Sequence, residues 1–204
     1  MKLQKVSTEQ FDKQVEQYEN WQKSEPYAPM FEPISVLDTC QVQNASLSGR
    51  NLSGLMISEC LFEEVEFIDC NLFGIYMYYS TFLHCRFVNC NFNKSQLVGC
   101  NFTRSDFIEC TFLKAELSHS NLFHADFTNA DFTGAFLFDS DFRFAYLEGV
   151  RLENAKIADT KFYTNQRFIV PKYSLGFIQN ISTSKEGKEK LGLEALANIF
   201  VQVE

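Results

Sequence analysis

Every fifth residue from Leu37 to Phe162 is a large apolar side chain, and this series of twenty-six positions contains no exception and no shift of register. A period of five matches neither the 3.6-residue period of a helix nor the two-residue period of a strand. The repeating unit is therefore itself five residues long. The pattern predicts a solenoid that is built by stacking short, similar steps.

A second series lies two residues before each large residue and is occupied mostly by Ala, Ser and Cys. The three remaining positions of each step hold mainly polar and charged residues, so two residues point inward and three point outward. The pattern resembles the pentapeptide repeat family, whose consensus is Ala-(Asp/Asn)-Leu-X-X. The clearest steps are Ala125-Asp126-Phe127-Thr128-Asn129 and Ala130-Asp131-Phe132-Thr133-Gly134.

The resemblance covers residues 37–163, about three fifths of the chain. It implies a right-handed quadrilateral β-helix with four repeats to a coil. The sequence supports four repeats per coil independently. Four repeats make twenty residues, so large residues twenty positions apart would stack in one column. The column from Leu37 to Ile157 contains no Phe, whereas Phe is common in the other three columns. Roughly six coils, about 4.8 Å apart, would form a rod about 30 Å long. We therefore expect an all-β solenoid with a fully packed interior.

The N-terminal end of such a rod needs a cover, because an exposed terminal coil would pair edge to edge with other molecules. Ser7 or Thr8, followed by Gln10, is typical of the start of a helix. Apolar residues then recur at helical spacing on one side. We expect a helix over residues 8–22, within an N-terminal cap and extended lead-in of residues 1–36.

The C-terminal end, residues 164–204, is predicted to be a mixed cap, with irregular structure over residues 168–177 and a helix over residues 184–200. The residues leave open whether this helix is a second cap or a contact between two copies of the chain. The family resemblance implies a homodimer, because some pentapeptide repeat proteins pair through their C-terminal segment. The candidate dimer contacts are Leu193, Leu196, Ile199 and Phe200.

All seven cysteines fall on the small inward position, where Cys serves as a small hydrophobic residue. Cys70, Cys90 and Cys110 would stack in one column, but neighbouring coils are too far apart for an unstrained disulfide. No Cys or His spacing typical of a metal site occurs, so no metal is expected. Buried free thiols and the lack of an apolar leader or membrane-spanning run predict a cytoplasmic protein without a membrane partner.

No catalytic arrangement is evident in the sequence. Serines, histidines and carboxylates are numerous, but they lie outward on flat faces without a cleft, and no Gly-rich phosphate loop occurs. The sequence therefore predicts neither enzymatic activity nor a bound cofactor. Direct binding of nucleic acid is not expected either, because the formal net charge is -8.

The outward residues segregate when they are assigned to the four faces. The face around Phe87 and Phe107, called here the acidic face, carries the carboxylates Glu66, Asp69, Asp106, Glu109, Asp126 and Glu148. The opposite face, called here the aromatic face, carries Tyr76, Tyr78, Tyr79, Phe136 and Phe138. A cluster of exposed aromatic residues indicates a partner surface more strongly than charge does. Both faces are candidate contact sites for a protein partner.

Two functions fit these features. The first is a rigid scaffold that binds an unidentified protein. The second follows from the resemblance, since some family members mimic duplex DNA, bind type II topoisomerases such as gyrase, and protect them from quinolones or peptide toxins. Duplex DNA carries one charge per about 1.7 Å, so 30 Å of it presents roughly eighteen charges, about three times as many as the acidic face. The scaffold is therefore the preferred prediction, and DNA mimicry is the alternative.

Overall fold

The computed structural model describes residues 2–25, 35–161, 168–171 and 200–203. Between residues 35 and 161 the chain winds into a parallel β-solenoid, in which the paired residues of neighbouring coils are twenty positions apart. This arrangement confirms the all-β solenoid and the four repeats per coil that the sequence predicts. Each coil is therefore a square with one five-residue step on each side.

Short parallel strands lie on three of the four faces. The aromatic face contains β2 (Ser35–Asp38), β5 (Met56–Ser58) and β8 (Tyr76–Tyr78). The acidic face contains β4 (Ser46–Ser48), β7 (Glu66–Ile68), β10 (Arg86–Val88) and β11 (Asp106–Ile108). A third face contains β1 (Gln4–Val6), β3 (Cys40–Gln43), β6 (Leu61–Glu63) and β9 (Thr81–Leu83), and is called here the β1 face. The fourth, called here the asparagine face, is joined by isolated bridges such as those between Asn51, Asn71 and Asn91.

The chain turns a corner at the last residue of each step. The backbone φ angle is positive at every fifth residue from Thr39 to Asp159. Between the corners, main-chain hydrogen bonds join each coil to the next. For example, the Phe82 N–H donates to the Asn101 carbonyl at 2.7 Å, and the Asn101 N–H donates back to the Ser80 carbonyl at 3.0 Å. The coils therefore satisfy one another's backbone groups, as a buried backbone requires.

The interior is filled by columns of large side chains that stack from coil to coil. The rings of Phe62 and Phe82 are 4.7 Å apart and nearly parallel, and Phe82 continues the stack to Phe102 at 5.0 Å. All the large inward residues from Leu37 to Ile157 are buried. Burying such a side chain contributes on the order of 1.5–3 kcal/mol, so this core provides most of the stabilisation of the rod.

The small inward residues also carry out a polar role that the sequence did not predict. The hydroxyl of Ser120 donates to the Leu97 carbonyl at 2.7 Å, and the hydroxyl of Ser140 donates to the Leu117 carbonyl at 2.8 Å. The thiol of Cys100 lies in an equivalent place, 3.1 Å from the Met77 carbonyl. Ser and Cys are therefore suited to this position because they are small and also donate a hydrogen bond to the coil before.

The N-terminal cap begins with the predicted helix, α1 (Thr8–Ser24), which extends two residues beyond the expected end. It starts with a capping box, because the Gln10 N–H donates to the Ser7 hydroxyl and the Ser7 N–H donates to the Gln10 side chain. Its buried residues Phe11, Val15 and Tyr18 belong to the same hydrophobic core as the rod. The helix therefore covers the first coil, as expected.

Two features of this cap were not predicted. The first is β1, which precedes the helix and pairs in parallel with β3, so that the β1 face gains an additional strand. The second is Arg50, which occupies an inward position where other steps carry a small residue. Its guanidinium contacts the Glu19 carboxylate at 2.9 Å, and the other Glu19 oxygen accepts the Asn51 N–H at 2.7 Å. Burial alone would raise the pKa of Glu19, but these hydrogen bonds hold that pKa below its ordinary value.

At the C-terminal end the structure describes two strands, β12 (Phe168–Pro171) and β13 (Phe200–Val203), which pair in parallel. The segment expected to be irregular from residue 168 thus begins as a strand. Phe200 begins a strand, whereas the sequence placed it at the end of a helix. The rest of the predicted helix, including the dimer candidates Leu193, Leu196 and Ile199, lies outside the described residues.

Candidate protein-binding surfaces

The aromatic face carries two pairs of outward rings. Tyr76 and Tyr78 flank the buried Met77, and their ring centroids are 6.2 Å apart. Phe136 and Phe138 form the same arrangement three coils further along, at 6.1 Å. All four side chains are half-buried. The alternation of a strand explains this geometry, because the residues on either side of an inward residue point outward.

Tyr79 stands at the corner beside the first of these pairs and is 70% exposed. Its φ angle is 49°, as the corner position requires. Its ring extends over Gly99, one coil further on, where an added Cβ would lie only 2.8 Å from the Tyr79 Cε1 atom. The absence of a side chain at residue 99 therefore allows the tyrosine ring to lie along the face and leaves most of it in contact with water.

Between the two aromatic pairs the face presents the half-buried residues Gln96, Val98 and Glu116, whereas Ser118 is buried. The two pairs are three coils apart and neighbouring coils are separated by about 4.8 Å, so the aromatic face presents a strip about 14 Å long with rings at both ends. Beyond the second pair, the Lys156 ammonium lies 4.3 Å from the centroid of the Phe136 ring, a cation–π contact. The pKa of Tyr78 is raised by burial and by the neighbouring Tyr76.

The acidic face contains the six predicted carboxylates, but several of them have local partners. Glu66 forms an ion pair with Arg86 at 3.6 Å. Asp69 accepts a hydrogen bond from the Asn89 amide at 2.7 Å. The Arg86 guanidinium therefore offsets part of the negative charge of this face, whereas the Asn89 amide carries no charge.

The two aspartates in the middle of this face have different roles. Asp126 accepts both the N–H and the hydroxyl of Thr128, at 2.8 and 2.6 Å, which is the behaviour of a turn-forming Asp. Burial raises the pKa of Asp106, the charge of Asp126 adds to this effect, and Arg86 opposes it. Glu109 and Glu148 are exposed, and aliphatic residues lie outward beside the charges, namely Ile68, Val88 and Ile108. The face is therefore a mixture of charge and aliphatic surface.

An aromatic cluster that was not predicted lies on the corner next to the β1 face. His124 stacks on Phe144 with ring centroids 5.1 Å apart, and Phe123 meets both rings edge to face. Arg143 lies over Phe123 and pairs with Asp141 at 2.6 Å. The signal was present in the sequence, since residues 124 and 144 are twenty positions apart and so occupy the same column.

Over the described ranges, no group of three or more His, Cys, Asp or Glu residues is arranged to hold a metal ion. Among the helices that the structure describes, none combines the length and the apolar character needed to cross a membrane. The seven cysteines are all buried and free. The Sγ atoms of Cys40 and Cys60 approach to 3.0 Å.

Comparison with known protein families agrees with the repeat and the fold. Residues 80–162 match the family model described as a pentapeptide repeat region. Together with the square parallel solenoid, this match confirms the resemblance that the sequence showed. The chain carries a pentapeptide repeat region. No match was found among curated protein sequences.

Several solved structures of pentapeptide repeat proteins are similar to this chain. A trypsin-treated form of QnrB1, a plasmid-mediated fluoroquinolone resistance protein, has 18% sequence identity and a TM-score of 0.37, and the match covers 61% of this chain and 66% of that one. A protein from the Arabidopsis thaliana thylakoid lumen has 25% identity and a TM-score of 0.40, with 48% and 64% covered. HetL, from the cyanobacterium Nostoc sp. strain PCC 7120, is involved in the regulation of heterocyst differentiation. It has 12% identity and a TM-score of 0.35, with 79% and 78% covered.

The matches to QnrB1 and to the Arabidopsis protein span slightly less than two thirds of those chains. All three TM-scores are below 0.5. These similarities are therefore too weak to indicate what this chain binds.

Proposed function

We propose that this protein is a non-catalytic scaffold that binds another protein through the aromatic face. The observation that carries the proposal is the exposure of Tyr79, at 70%, beside the half-buried pair Tyr76 and Tyr78 on one flat surface. Tyr is among the residues that contribute most to binding energy at protein interfaces, because it combines a large apolar area with a polar tip.

The architecture beneath the aromatic face supports this function. The strip lies on a wall whose inward residues, including Met77 and Leu97, are completely buried. Hydrogen bonds from coil to coil hold that wall, for example from the Met77 N–H to the Gln96 carbonyl at 2.7 Å. A surface fixed in this way loses little conformational entropy on binding, which favours affinity.

The alternative, mimicry of duplex DNA toward a type II topoisomerase, receives less support. A mimic needs a dense and continuous array of negative charge. On the acidic face Glu66 is paired with Arg86, and the outward aliphatic residues Ile68, Val88 and Ile108 interrupt the carboxylates. The homodimer that the family resemblance implies remains a prediction, since most of its candidate residues lie outside the described residues.

Affinity capture from a native lysate, with quantitative mass spectrometry, tests the proposal. The test variant changes three tyrosines together, Tyr76→Ser, Tyr78→Ser and Tyr79→Ser. A matched control changes three outward aliphatic residues of the acidic face, Ile68→Ser, Val88→Ser and Ile108→Ser. We expect a protein that the wild type retains to be lost by the tyrosine variant and kept by the control. Retention by the tyrosine variant with loss by the control would contradict the proposal.

A further inference from the structure

The strand β1 has one open edge in the part of the chain that the structure describes. In the sheet of the β1 face it is the outermost strand, and its sole described neighbour is β3. The Gln4 N–H donates to the Thr39 carbonyl at 3.0 Å, so the main-chain groups of Gln4 face β3. Because a strand alternates, the N–H and carbonyl of Lys5 point the other way, toward the open edge.

A groove runs along this edge, between β1 and α1. Its lining residues are Gln4, Val6, Gln10, Lys13, Gln14 and Gln17. The groove is polar, because four of its six lining residues are Gln, whose side-chain amides can both donate and accept hydrogen bonds.

The charge of this region differs from that of the rest of the protein. Lys5 lines an adjoining groove on the outer side of β1, and Lys13 lines the first groove. No carboxylate lines either groove, although the chain as a whole has a formal net charge of -8. The edge is therefore a locally positive site on an acidic protein, which favours a negatively charged occupant.

We propose that an extended acidic segment of another protein adds to β1 as a further strand. Its backbone pairs with the N–H and carbonyl of Lys5, and its carboxylates lie beside Lys5 and Lys13. This is binding by strand addition, in which main-chain hydrogen bonds provide affinity and side chains provide specificity. The site lies at the N-terminal end of the rod and is separate from the aromatic face.

A second copy of this chain is a poorer occupant of the same edge. Antiparallel pairing of two β1 strands about a two-fold axis would place Lys5 directly opposite Lys5, since this residue presents its main-chain groups to the edge. Like charges directly opposite each other destabilise a strand pair. An acidic segment has no such conflict. Self-association of the protein through β1 would therefore contradict the proposal.

The proposal is tested with a fluorescein-labelled heptapeptide of alternating Glu and Val, and with an analogue of alternating Lys and Val. Fluorescence anisotropy with the full chain should show binding of the Glu peptide alone, and its affinity should fall as salt rises from about 50 mM to about 500 mM. Lys5→Pro removes the outward N–H but no bond to β3, and should weaken binding at least about tenfold. Lys5→Gln keeps the N–H, and should retain binding with a smaller dependence on salt.

Three results would overturn the proposal: no binding of the Glu peptide at about 1 mM, equal binding of the Lys peptide, or unchanged affinity in the Lys5→Pro variant. A second measurement on the wild-type protein does not depend on that variant's folding. Hydrogen exchange followed by NMR should show that the Lys5 amide becomes protected when the Glu peptide is added, whereas the Gln4 amide, already bonded to Thr39, changes little. An unchanged Lys5 exchange rate at saturating peptide would equally refute strand addition.

Discussion

Phe107 lies at the centre of the inward column of the acidic face, and its replacement by Ala provides a sharp test of how the rod is held together. Its ring is stacked between Phe87 at 4.7 Å and Phe127 at 5.0 Å, and it is 1% exposed. It also meets three rings of neighbouring columns edge to face, namely Phe92 at 5.8 Å, Phe102 at 5.1 Å and Phe112 at 5.6 Å. Phe107→Ala therefore removes a side chain that has other rings stacked on both of its faces and packed against it from the two adjacent columns.

We expect this substitution to lower the free energy of unfolding by about 3–5 kcal/mol, the usual range for a buried Phe. The upper half of the range is favoured, because aromatic pairs contribute about 0.5–1.5 kcal/mol beyond their buried area. The neighbouring coils cannot close the cavity easily, since main-chain bonds set their spacing, such as that from the Phe107 N–H to the Asp126 carbonyl at 2.6 Å.

Guanidinium unfolding followed by far-ultraviolet circular dichroism measures this effect. Two controls separate packing from other causes. Phe107→Leu keeps most of the volume and should cost less than about 1.5 kcal/mol. Phe73→Ala removes a ring that is 41% exposed, and should change stability by less than about 0.5 kcal/mol. A loss below about 1 kcal/mol for Phe107→Ala would show that the interior is not packed as described.

Three further predictions concern the cap, the thiols and the acidic face. The pKa of Glu19 is depressed below 4.5 in the folded protein, so its pairing with Arg50 stabilises the fold fully above pH 4.5, and this benefit disappears as pH falls through the folded pKa. Glu19→Gln should therefore lower the free energy of unfolding by about 1–2 kcal/mol at pH 7. Urea unfolding at pH 7 and pH 3 should show this difference shrinking at the lower pH, whereas an equal difference at both pH values would contradict the pairing. Burial raises the pKa of the Cys85 thiol to about 12. Iodoacetamide at pH 8 should therefore leave Cys85 unmodified in the native protein and alkylate it in denaturant, as measured by mass spectrometry. Rapid labelling of the native protein would show instead that the interior is accessible. Charge reversal of three carboxylates of the acidic face, by Asp106→Lys, Glu109→Lys and Asp126→Lys, should leave capture of the partner unchanged. The wild-type protein should neither inhibit DNA supercoiling by gyrase nor protect gyrase from a quinolone. An inhibition that the charge reversal abolishes would instead support DNA mimicry.

The rod was predictable because its period is a property of the core itself. A large side chain at every fifth residue cannot be buried by a single helix or strand, and the lack of Phe in the column from Leu37 to Ile157 reveals which coils stack. The position of α1 was predictable as well, because Ser7 and Gln10 form a local capping box and the apolar residues that follow recur at helical spacing. Both signals are local or strictly periodic, so they can be read without coordinates.

Other features depended on contacts that leave little mark in the sequence. The strand β1 has three residues, two of them polar, and it forms because β3 offers an edge rather than because of its own propensity. The role of Arg50 could not be predicted either, because its ion pair with Glu19 spans 31 positions. The ring of Tyr79 lies over Gly99, twenty positions further along the chain, a relation visible only once the stacking of coils is known.

The acidic face illustrates the same limit for function. The family resemblance raised the possibility of DNA mimicry and the charge count argued against it, but the count does not show which carboxylates have local partners. Asp126 lies two residues before Thr128, a spacing at which an Asp side chain commonly accepts the backbone N–H, so part of this outcome followed from turn chemistry. The pairing of Glu66 with Arg86 follows from their spacing of twenty residues. Once four steps per coil are accepted, such pairs can be anticipated from the sequence.

Site-specific photocrosslinking in living cells tests the central claim, contact through the aromatic face, most directly. The photoreactive amino acid p-benzoylphenylalanine would replace Tyr79 in one variant and Glu109 in another, since these residues occupy equivalent exposed corners of opposite faces. The proposed function predicts a discrete crosslinked protein when the probe is at residue 79 and none when it is at residue 109. A crosslink at residue 109 alone would contradict it and move the contact to the acidic face.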